Sequence, residues 1–244
     1  MIILSPTYSK NEKYCDILIS LLDNYWPNHP KLYFVTDSGD NIKYENKIIT
    51  ENTKWVEMLY ESLITLKQIE SSCDYIFLIL EDLFPIWDMD YNDLNKYLEI
   101  SKKSNLNYVS FLTFDADWGK DNYRQFFGKD FYFIHNNFNY HSQLQPALWK
   151  YDHLIKTLEY ALENKINDPW KFEFIKFSDD HYVADFRWPN ILNGLLVGNL
   201  INYEALEKIQ LPEGRKLKNS LIIDSISRNR YTRKLKKIIS SFIN

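Results

Sequence analysis

Glycine and cysteine are scarce in this chain, whose 244 residues include 6 glycines and 2 cysteines. There is no CxxC pair and no grouping of His with Cys that suggests a zinc site. Cys15 and Cys73 fall within a predicted helix and just before a predicted strand, and we expect both to be reduced thiols of a cytoplasmic protein. No apolar stretch has the length needed to cross a bilayer, and the first residues lack the basic region of a signal peptide.

The net charge of -4 conceals a basic segment at the end of the chain. Residues Arg228 to Asn244 contain six Lys and Arg residues, no acidic residue, and an apolar stripe at helical spacing. A basic amphipathic helix is typical of an element that binds an anionic membrane surface, whereas a terminal helix packed on its own domain is the alternative. The remainder of the chain is acidic and has no recognisable nucleic-acid motif, so we expect no nucleic-acid partner.

Predicted strands and helices alternate along the first half of the chain. The predicted strands are Met1–Ser5, Leu32–Thr36, Lys47–Thr50, Tyr75–Leu80 and Tyr108–Phe114, and the predicted helices are Asn11–Tyr25, Thr53–Glu70 and Tyr91–Lys103. This alternation predicts an α/β fold with a mostly parallel central sheet flanked by helices. Without repeats or convincing linkers, we predict one domain over residues 1–211, followed by the C-terminal amphipathic tail over 212–244.

The strand that begins at Tyr75 ends in two adjacent carboxylates, Glu81 and Asp82. Its uninterrupted apolar run predicts a strand that is covered on both faces. Open α/β sheets bind ligands at the carboxyl ends of their strands, and carboxylate oxygens suit a divalent cation. The alternative is an ordinary solvated acidic loop. Two D-x-D triplets, at Asp88–Asp90 and Asp115–Asp117, are weaker candidates because such triplets are common in turns.

Two later segments resemble parts of a site. Gln145 and Pro146 precede a predicted helix that includes Leu148. Asp168 is a predicted helix N-cap, with Pro169 at the first helical position and Glu173 in the second turn. A carboxylate there can serve as a general base toward a hydroxyl, although a Glu near a helix start is also stabilised by the helix dipole without any catalytic role.

Several of these segments together resemble GT-A glycosyltransferases, in a small bacterial group that builds surface polysaccharides or glycolipids. The matching segments, which lie before about Leu211, are IILSPTY, WVEMLYESL, DYIFLILEDLFP, LQPALWK and PWKFE. The resemblance implies a Rossmann-like GT-A domain with a nucleotide-binding half over about 1–117 and an acceptor half over about 118–211.

The resemblance also implies roles for individual residues. The donor nucleotide is expected to contact Pro6, Thr7, Tyr8 and Asp37, and the acceptor is expected to contact Gln145, Trp149 and Trp170. Glu81 and Asp82 correspond to the motif that holds Mn²⁺ or Mg²⁺ and the donor diphosphate, although Leu83 replaces the final Asp of D-x-D. Glu173 corresponds to the catalytic base, with Asp179 and Asp180 as alternates. If no metal is held, basic residues such as Arg124, His181, Arg187 or Arg215 are candidates to neutralise the diphosphate.

The resulting hypothesis is a cytoplasmic, peripherally membrane-bound glycosyltransferase that transfers sugar from a nucleotide-sugar donor to a glycan or lipid-linked acceptor. One alternative is a sugar nucleotidyltransferase, which should have a Gly-rich phosphate loop after the first strand, whereas SPTYSKNEK contains no glycine. The other is a catalytically silent GT-A-like subunit that binds carbohydrate or a partner protein, which the apolar Leu83 leaves open.

Overall fold

A computed structural model of the chain describes residues 1–83, 91–111, 123–126, 131–134, 141–144, 146–178, 180–184, 196–197, 200–201, 210–211 and 215–216. The main sheet contains β1 (Ile2–Pro6), β2 (Leu32–Thr36), β3 (Lys47–Ile49), β4 (Tyr75–Leu78), β5 (Tyr108–Ser110), β6 (Tyr123–Phe126), β7 (Phe131–Ile134), β8 (Ala147–Lys150) and β9 (His181–Ala184). Two short hairpins follow, β10 (Leu196–Val197) with β11 (Leu200–Ile201), and β12 (Gln210–Leu211) with β13 (Arg215–Lys216).

A 3-10 helix (Ser9–Tyr14) leads directly into the first α-helix. The α-helices are α1 (Cys15–Tyr25), α2 (Trp55–Ile69), α3 (Tyr91–Lys103), α4 (Tyr151–Glu163) and α5 (Pro169–Phe172). None of the helices in these described ranges is long and apolar enough to span a membrane. Of the predicted tail over 212–244, the structure describes β13, which pairs with β12 across the predicted boundary, whereas the basic segment Arg228 to Asn244 lies outside the described residues.

The strand order in the main sheet is β3-β2-β1-β4-β8-β5-β9-β7-β6. The first four strands of this order are mutually parallel, and β8 runs antiparallel to both β4 and β5. β9 is parallel to β5, whereas β7 is antiparallel to β9 and to β6. The sheet is therefore mixed: β7 and β8 run against the direction of the other seven strands.

Both faces of the sheet are covered, which explains the continuous apolar runs in its strands. Because side chains alternate along a strand, Ile3 and Phe77 face the layer that contains α1 and α3, and Leu4 and Ile76 face the layer that contains α2 and α4. All four of these side chains are buried, with exposures of 0%. The predicted flanking of the sheet by helices is confirmed.

One predicted helix is wrong at its start. Leu148 belongs to β8, and α4 begins only at Tyr151. The residues Ala147 to Trp149 are buried on both faces, because β8 inserts between β4 and β5 and pairs with each of them. A three-residue apolar segment does not reveal by its periodicity whether it is a strand or the first turn of a helix, and here the pairing with distant strands decides.

Candidate functional site

The site is built around the point where the order of strands reverses. The chain runs outward from β1 to β2 and β3, and then returns to place β4 on the other side of β1. Ligands of open α/β sheets bind in the crevice at such a switch point, outside the carboxyl ends of the strands. The segments that leave β1 and β4 at this edge are Pro6–Tyr8 and Leu80–Leu83.

The two carboxylates that follow β4 lie at this edge, as predicted from the sequence. The Leu83 amide donates to the Leu80 carbonyl at 3.1 Å and closes a turn that carries Glu81 and Asp82. Glu81 is only 7% exposed, and its Oε1 accepts a hydrogen bond from Asn11 Nδ2 at 2.6 Å. Burial and the neighbouring charge of Asp82 raise the pKa of Glu81 to about 8. Burial and Asp82 therefore disfavour the ionised form of Glu81 in this turn.

Tyr8 connects the candidate donor residues with the acceptor segment. Its ring is half-buried, and burial together with the nearby charges of Asp37, Asp168 and Glu81 raises the pKa of its phenol. Lys10 Nζ lies 5.7 Å from the centre of the ring. Three carboxylates from three separate segments thus come within electrostatic range of one phenol. Asp168 comes from the acceptor half, so the structure brings the two predicted halves of the site together at Tyr8.

The remaining predicted donor residues have structural partners in the same region. The Thr7 amide donates to the Val35 carbonyl at 2.8 Å, which continues the β1–β2 pairing past Pro6. Asp37 accepts hydrogen bonds from the Ser9 amide at 2.7 Å and from the Ser9 hydroxyl at 3.3 Å. Asp37 therefore fixes the start of the 3-10 helix and holds the segment after β1 against the end of β2.

Glu12 organises the loop after β2, and sequence reasoning missed it. Its carboxylate is fully buried and accepts hydrogen bonds from the Thr36 hydroxyl at 2.6 Å, from the Gly39 amide, and from the amide and side chain of Asn41 at 3.0 and 3.3 Å. Burial alone favours the protonated carboxyl, but these hydrogen bonds prevail and lower the pKa of Glu12. Gly39 adopts a φ of 82°, the left-handed conformation that glycine tolerates best.

The donor atoms of Glu81 and Asp82 are of the type that a hard divalent cation prefers. A bound cation would favour the ionised form of Glu81, which burial and then Asp82 disfavour, so the two carboxyl groups are suitable as two of its ligands. Within the described part of the chain, no group of three or more His, Cys, Asp or Glu side chains is arranged to hold a metal ion.

Glu173 occupies a different position from the predicted one. It is the C-cap of the one-turn helix α5 and is 6% exposed. Its Oε1 accepts a hydrogen bond from the Leu144 amide at 3.1 Å, and its carbonyl accepts one from the Ser142 amide at 3.2 Å. Burial raises the pKa of Glu173, although the Leu144 amide partly opposes this shift. The start of α5 agrees with prediction, because Asp168 caps it through a 2.8 Å hydrogen bond from the Trp170 amide.

The predicted acceptor residues separate into three cases. Trp170 is 70% exposed beside the Asp168 cap and is accessible to a ligand. Trp149 is fully buried, with its ring 4.4 Å from that of Tyr108. A fully buried side chain packs the core and cannot form the wall of an open cleft, so the role predicted for Trp149 does not agree with its position. Gln145 lies outside the described residues, as do Asp88–Asp90, Asp115–Asp117, Asp179 and Arg187.

His181, an alternative phosphate ligand, is instead part of a buried histidine pair. Its Nδ1 lies 2.7 Å from the His141 carbonyl, which can only accept, so Nδ1 carries the proton and Nε2 is an acceptor. His153 Nε2 lies 2.9 Å from this acceptor and donates to it. Burial lowers the pKa of His153 to about 4 and holds that of His181 well below its ordinary value, so both rings are neutral at pH 7.

No protein-family model matches the chain, and no curated protein matches it. Among solved structures, A197 from STIV is 14% identical over 75% of this chain and 81% of its own, with a TM-score of 0.39. Bifunctional IspDF from Campylobacter jejuni is 13% identical over 86% of this chain and 54% of its own, with a TM-score of 0.47. The galactosyltransferase LgtC is 12% identical over 75% and 73%, with a TM-score of 0.38. At these TM-scores, the similarities assign no activity to the chain.

Proposed function

We propose that the protein is a glycosyltransferase that uses a nucleotide-sugar donor. The observation that supports this most directly is the pair Glu81–Asp82 at the switch point between β1 and β4, with Tyr8 beside it. A crevice at a switch point suits a nucleotide, and adjacent carboxylates suit a cation that is shared with a diphosphate.

Each side chain of the site has a chemical task in this proposal. The half-buried ring of Tyr8 offers a face on which the nucleotide base can stack. Asp82 and Glu81 would hold a divalent cation, Mn²⁺ or Mg²⁺, which when bound supplies positive charge to stabilise the departing diphosphate. Asn11 fixes the orientation of Glu81 through its 2.6 Å hydrogen bond. Asp37 holds the segment that carries Tyr8 through its contacts to Ser9.

We assign the acceptor to the side of the crevice formed by α5. Trp170 is exposed there and can stack on a sugar ring of the acceptor. Glu173 is the candidate base for the acceptor hydroxyl: burial raises its pKa, which makes its carboxylate a stronger base, and the Leu144 amide orients that carboxylate.

We further propose that the acceptor is a glycan or a lipid-linked sugar, that the enzyme works in the cytoplasm, and that its basic tail binds an anionic membrane. Removal of residues Arg228 to Asn244 should abolish sedimentation with anionic liposomes but leave transfer to a soluble acceptor analogue nearly unchanged. Sedimentation that survives the truncation would remove the membrane role.

The donor proposal is tested by calorimetric titration of UDP, GDP, CMP and TDP with and without Mn²⁺. One nucleotide should bind selectively, and Asp82→Ala should weaken it by about tenfold or more. Glu45→Ala, at an exposed position, is the matched control and should change nothing. Binding that is insensitive to both Mn²⁺ and Asp82→Ala would remove the metal role, and absence of binding to every nucleotide would refute the transferase.

Turnover then separates the glycosyltransferase from its alternatives. A glycosyltransferase should release nucleotide from a nucleotide-sugar only when acceptor is present, and Glu173→Gln should abolish that release. A nucleotidyltransferase should instead form a nucleotide-sugar from a nucleoside triphosphate and a sugar phosphate. Nucleotide binding without either reaction would indicate the silent binding subunit.

A further inference from the structure

A cavity lies at the edge of the sheet opposite the candidate site. Its volume is about 440 Å³, and it is lined by Met1 and Tyr75, which stand at the amino ends of β1 and β4. Lys150, at the carboxyl end of the antiparallel strand β8, pairs with Tyr75 and therefore lies at this same edge. The cavity has the size of a small-molecule site and shares no residue with the carboxylate turn after β4.

Basic side chains from three different elements converge on this cavity. Lys67 comes from the last turn of α2, Lys102 from the last turn of α3, and Lys150 from the residue that precedes α4. Lys102 is paired with Glu99, but Lys67 and Lys150 bond to neutral oxygens, the Cys73 carbonyl at 3.1 Å and the Asn105 side chain at 2.7 Å. The Lys67 ammonium also lies 4.8 Å from the centre of the Tyr151 ring, and neither of these two lysines forms a salt bridge within the described residues, so no carboxylate there is paired with either charge.

One further feature of the cavity favours an anion. The positive end of the 13-residue helix α4 opens on it, and the residue at the N-cap position is Lys150, which makes no side-chain cap.

The cavity also contains groups that an anion alone would not satisfy. Asp74 and Asp152 line it, and neither forms a salt bridge in the described part of the chain. Carboxylates repel phosphate but accept hydrogen bonds from hydroxyl groups, as does the side-chain oxygen of Asn105. A ligand that has both a phosphate and several hydroxyl groups would use the lysines and the carboxylates at the same time.

We propose that this cavity binds a phosphorylated polyol, with its phosphate between Lys67 and Lys150 and its hydroxyl groups on Asp74 and Asp152. The same chemistry is present in a soluble sugar or glycerol phosphate and in the headgroup of a polyol phospholipid. Binding here is independent of the proposed transferase activity, because the two sites lie at opposite edges of the sheet.

The test is calorimetric titration of the full chain with glycerol 3-phosphate and glucose 6-phosphate. In parallel, the wild-type chain and Lys150→Gln, which carry the same basic tail, are sedimented with phosphatidylcholine vesicles that do or do not contain phosphatidylglycerol, so that only a difference between the two proteins reports on the cavity. Lys150→Gln, which retains a donor for Asn105, should weaken binding by about tenfold, because it removes a hydrogen bond between charged groups. Lys43→Gln removes the same charge at a side chain that is 90% exposed and should leave binding unchanged.

The outcomes identify the source of the ligand or overturn the proposal. Binding of the soluble phosphates that depends on Lys150 indicates a free metabolite, and vesicle binding alone that depends on Lys150 indicates a lipid headgroup. No binding of the soluble phosphates together with equal vesicle sedimentation of wild type and Lys150→Gln, or equal losses in Lys150→Gln and Lys43→Gln, would overturn the site. Inorganic phosphate that binds as tightly as the polyol phosphates would overturn the role of Asp74 and Asp152. Asp82→Ala should leave polyol phosphate binding intact, so failure of the nucleotide site is distinguishable from failure of this one.

Discussion

Replacement of Glu12 should destabilise the protein more than replacement of any exposed carboxylate. The Glu12 carboxylate is buried and accepts hydrogen bonds from the Thr36 hydroxyl and from the amides of Gly39 and Asn41. Glu12→Ala leaves these donors without an acceptor. Because the Thr36 hydroxyl can rotate toward another acceptor, the two amides dominate the loss, and we expect a cost of about 3 kcal/mol.

Glu12→Gln should have a smaller effect than Glu12→Ala. It retains one acceptor oxygen but turns an NH₂ group toward donors, which predicts a loss of about 2 kcal/mol. Urea unfolding monitored by tryptophan fluorescence measures both variants, with Glu45→Gln at an exposed position as the control. A change within about 0.5 kcal/mol for both Glu12 variants, as expected for surface substitutions, would refute the reasoning.

The charge of Glu12 also predicts a pH dependence. Its pKa in the folded protein lies below the ordinary value of 4.5, so the unfolded chain binds more protons in the interval between the two values. The stability that Glu12 contributes is therefore fully present above pH 4.5 and is lost as the pH falls through its folded pKa. The stability difference between the wild-type protein and Glu12→Gln should shrink below pH 4.5. A difference that stays constant would show that the charge contributes nothing.

Three further substitutions test other buried groups. Glu173→Gln retains an acceptor for the Leu144 amide. Because burial raises the pKa of Glu173, the wild-type protein loses stability as the pH rises above 4.5, so the variant should be at least as stable as wild type at pH 7 and equal to it at pH 4. A variant that is less stable in urea at pH 7 would argue against a buried charge. Burial lowers the pKa values of His153 and His181, so the wild-type protein should lose stability as the pH falls from 6.5 to 4, by up to about 1.4 kcal/mol per pH unit for each histidine. In His153→Gln the free energy of unfolding should depend less steeply on pH over this interval, and an equal dependence would contradict this reasoning. Gly39→Ala should cost about 1–2 kcal/mol at a φ of 82°, and an unchanged melting temperature would exclude strain there.

The sequence predicted the elements whose signals are local. The strand Leu32–Thr36 and the helix Tyr91–Lys103 have the predicted bounds, because an apolar run and a helical period depend only on neighbouring residues. The position of Glu81 and Asp82 after β4 was predictable for the same reason. These signals were sufficient to locate one edge of the candidate site.

The missed features depend on residues that are distant in the chain. Glu12 bonds to Thr36 and Asn41, which lie 24 and 29 residues away, and nothing in its local sequence distinguishes it from a solvated glutamate. Trp149 is buried because β8 inserts between two strands of the first half, and no local pattern reveals that insertion. Such long-range pairings decide burial, and burial decides whether an aromatic residue forms the core or a binding surface.

The position of β8 has a consequence for synthesis of the protein on the ribosome. β4 and β5 are not neighbours in the sheet, because each pairs with β8, which is translated after both. Until Lys150 has emerged, the facing edges of β4 and β5 remain unpaired, and unpaired apolar edges promote aggregation. A nascent chain that is arrested at residue 146 should therefore bind chaperones and be digested rapidly by protease, whereas an arrest point beyond β9 should give a protected sheet. The insertion of one late strand makes the two halves of the sheet a single unit of folding.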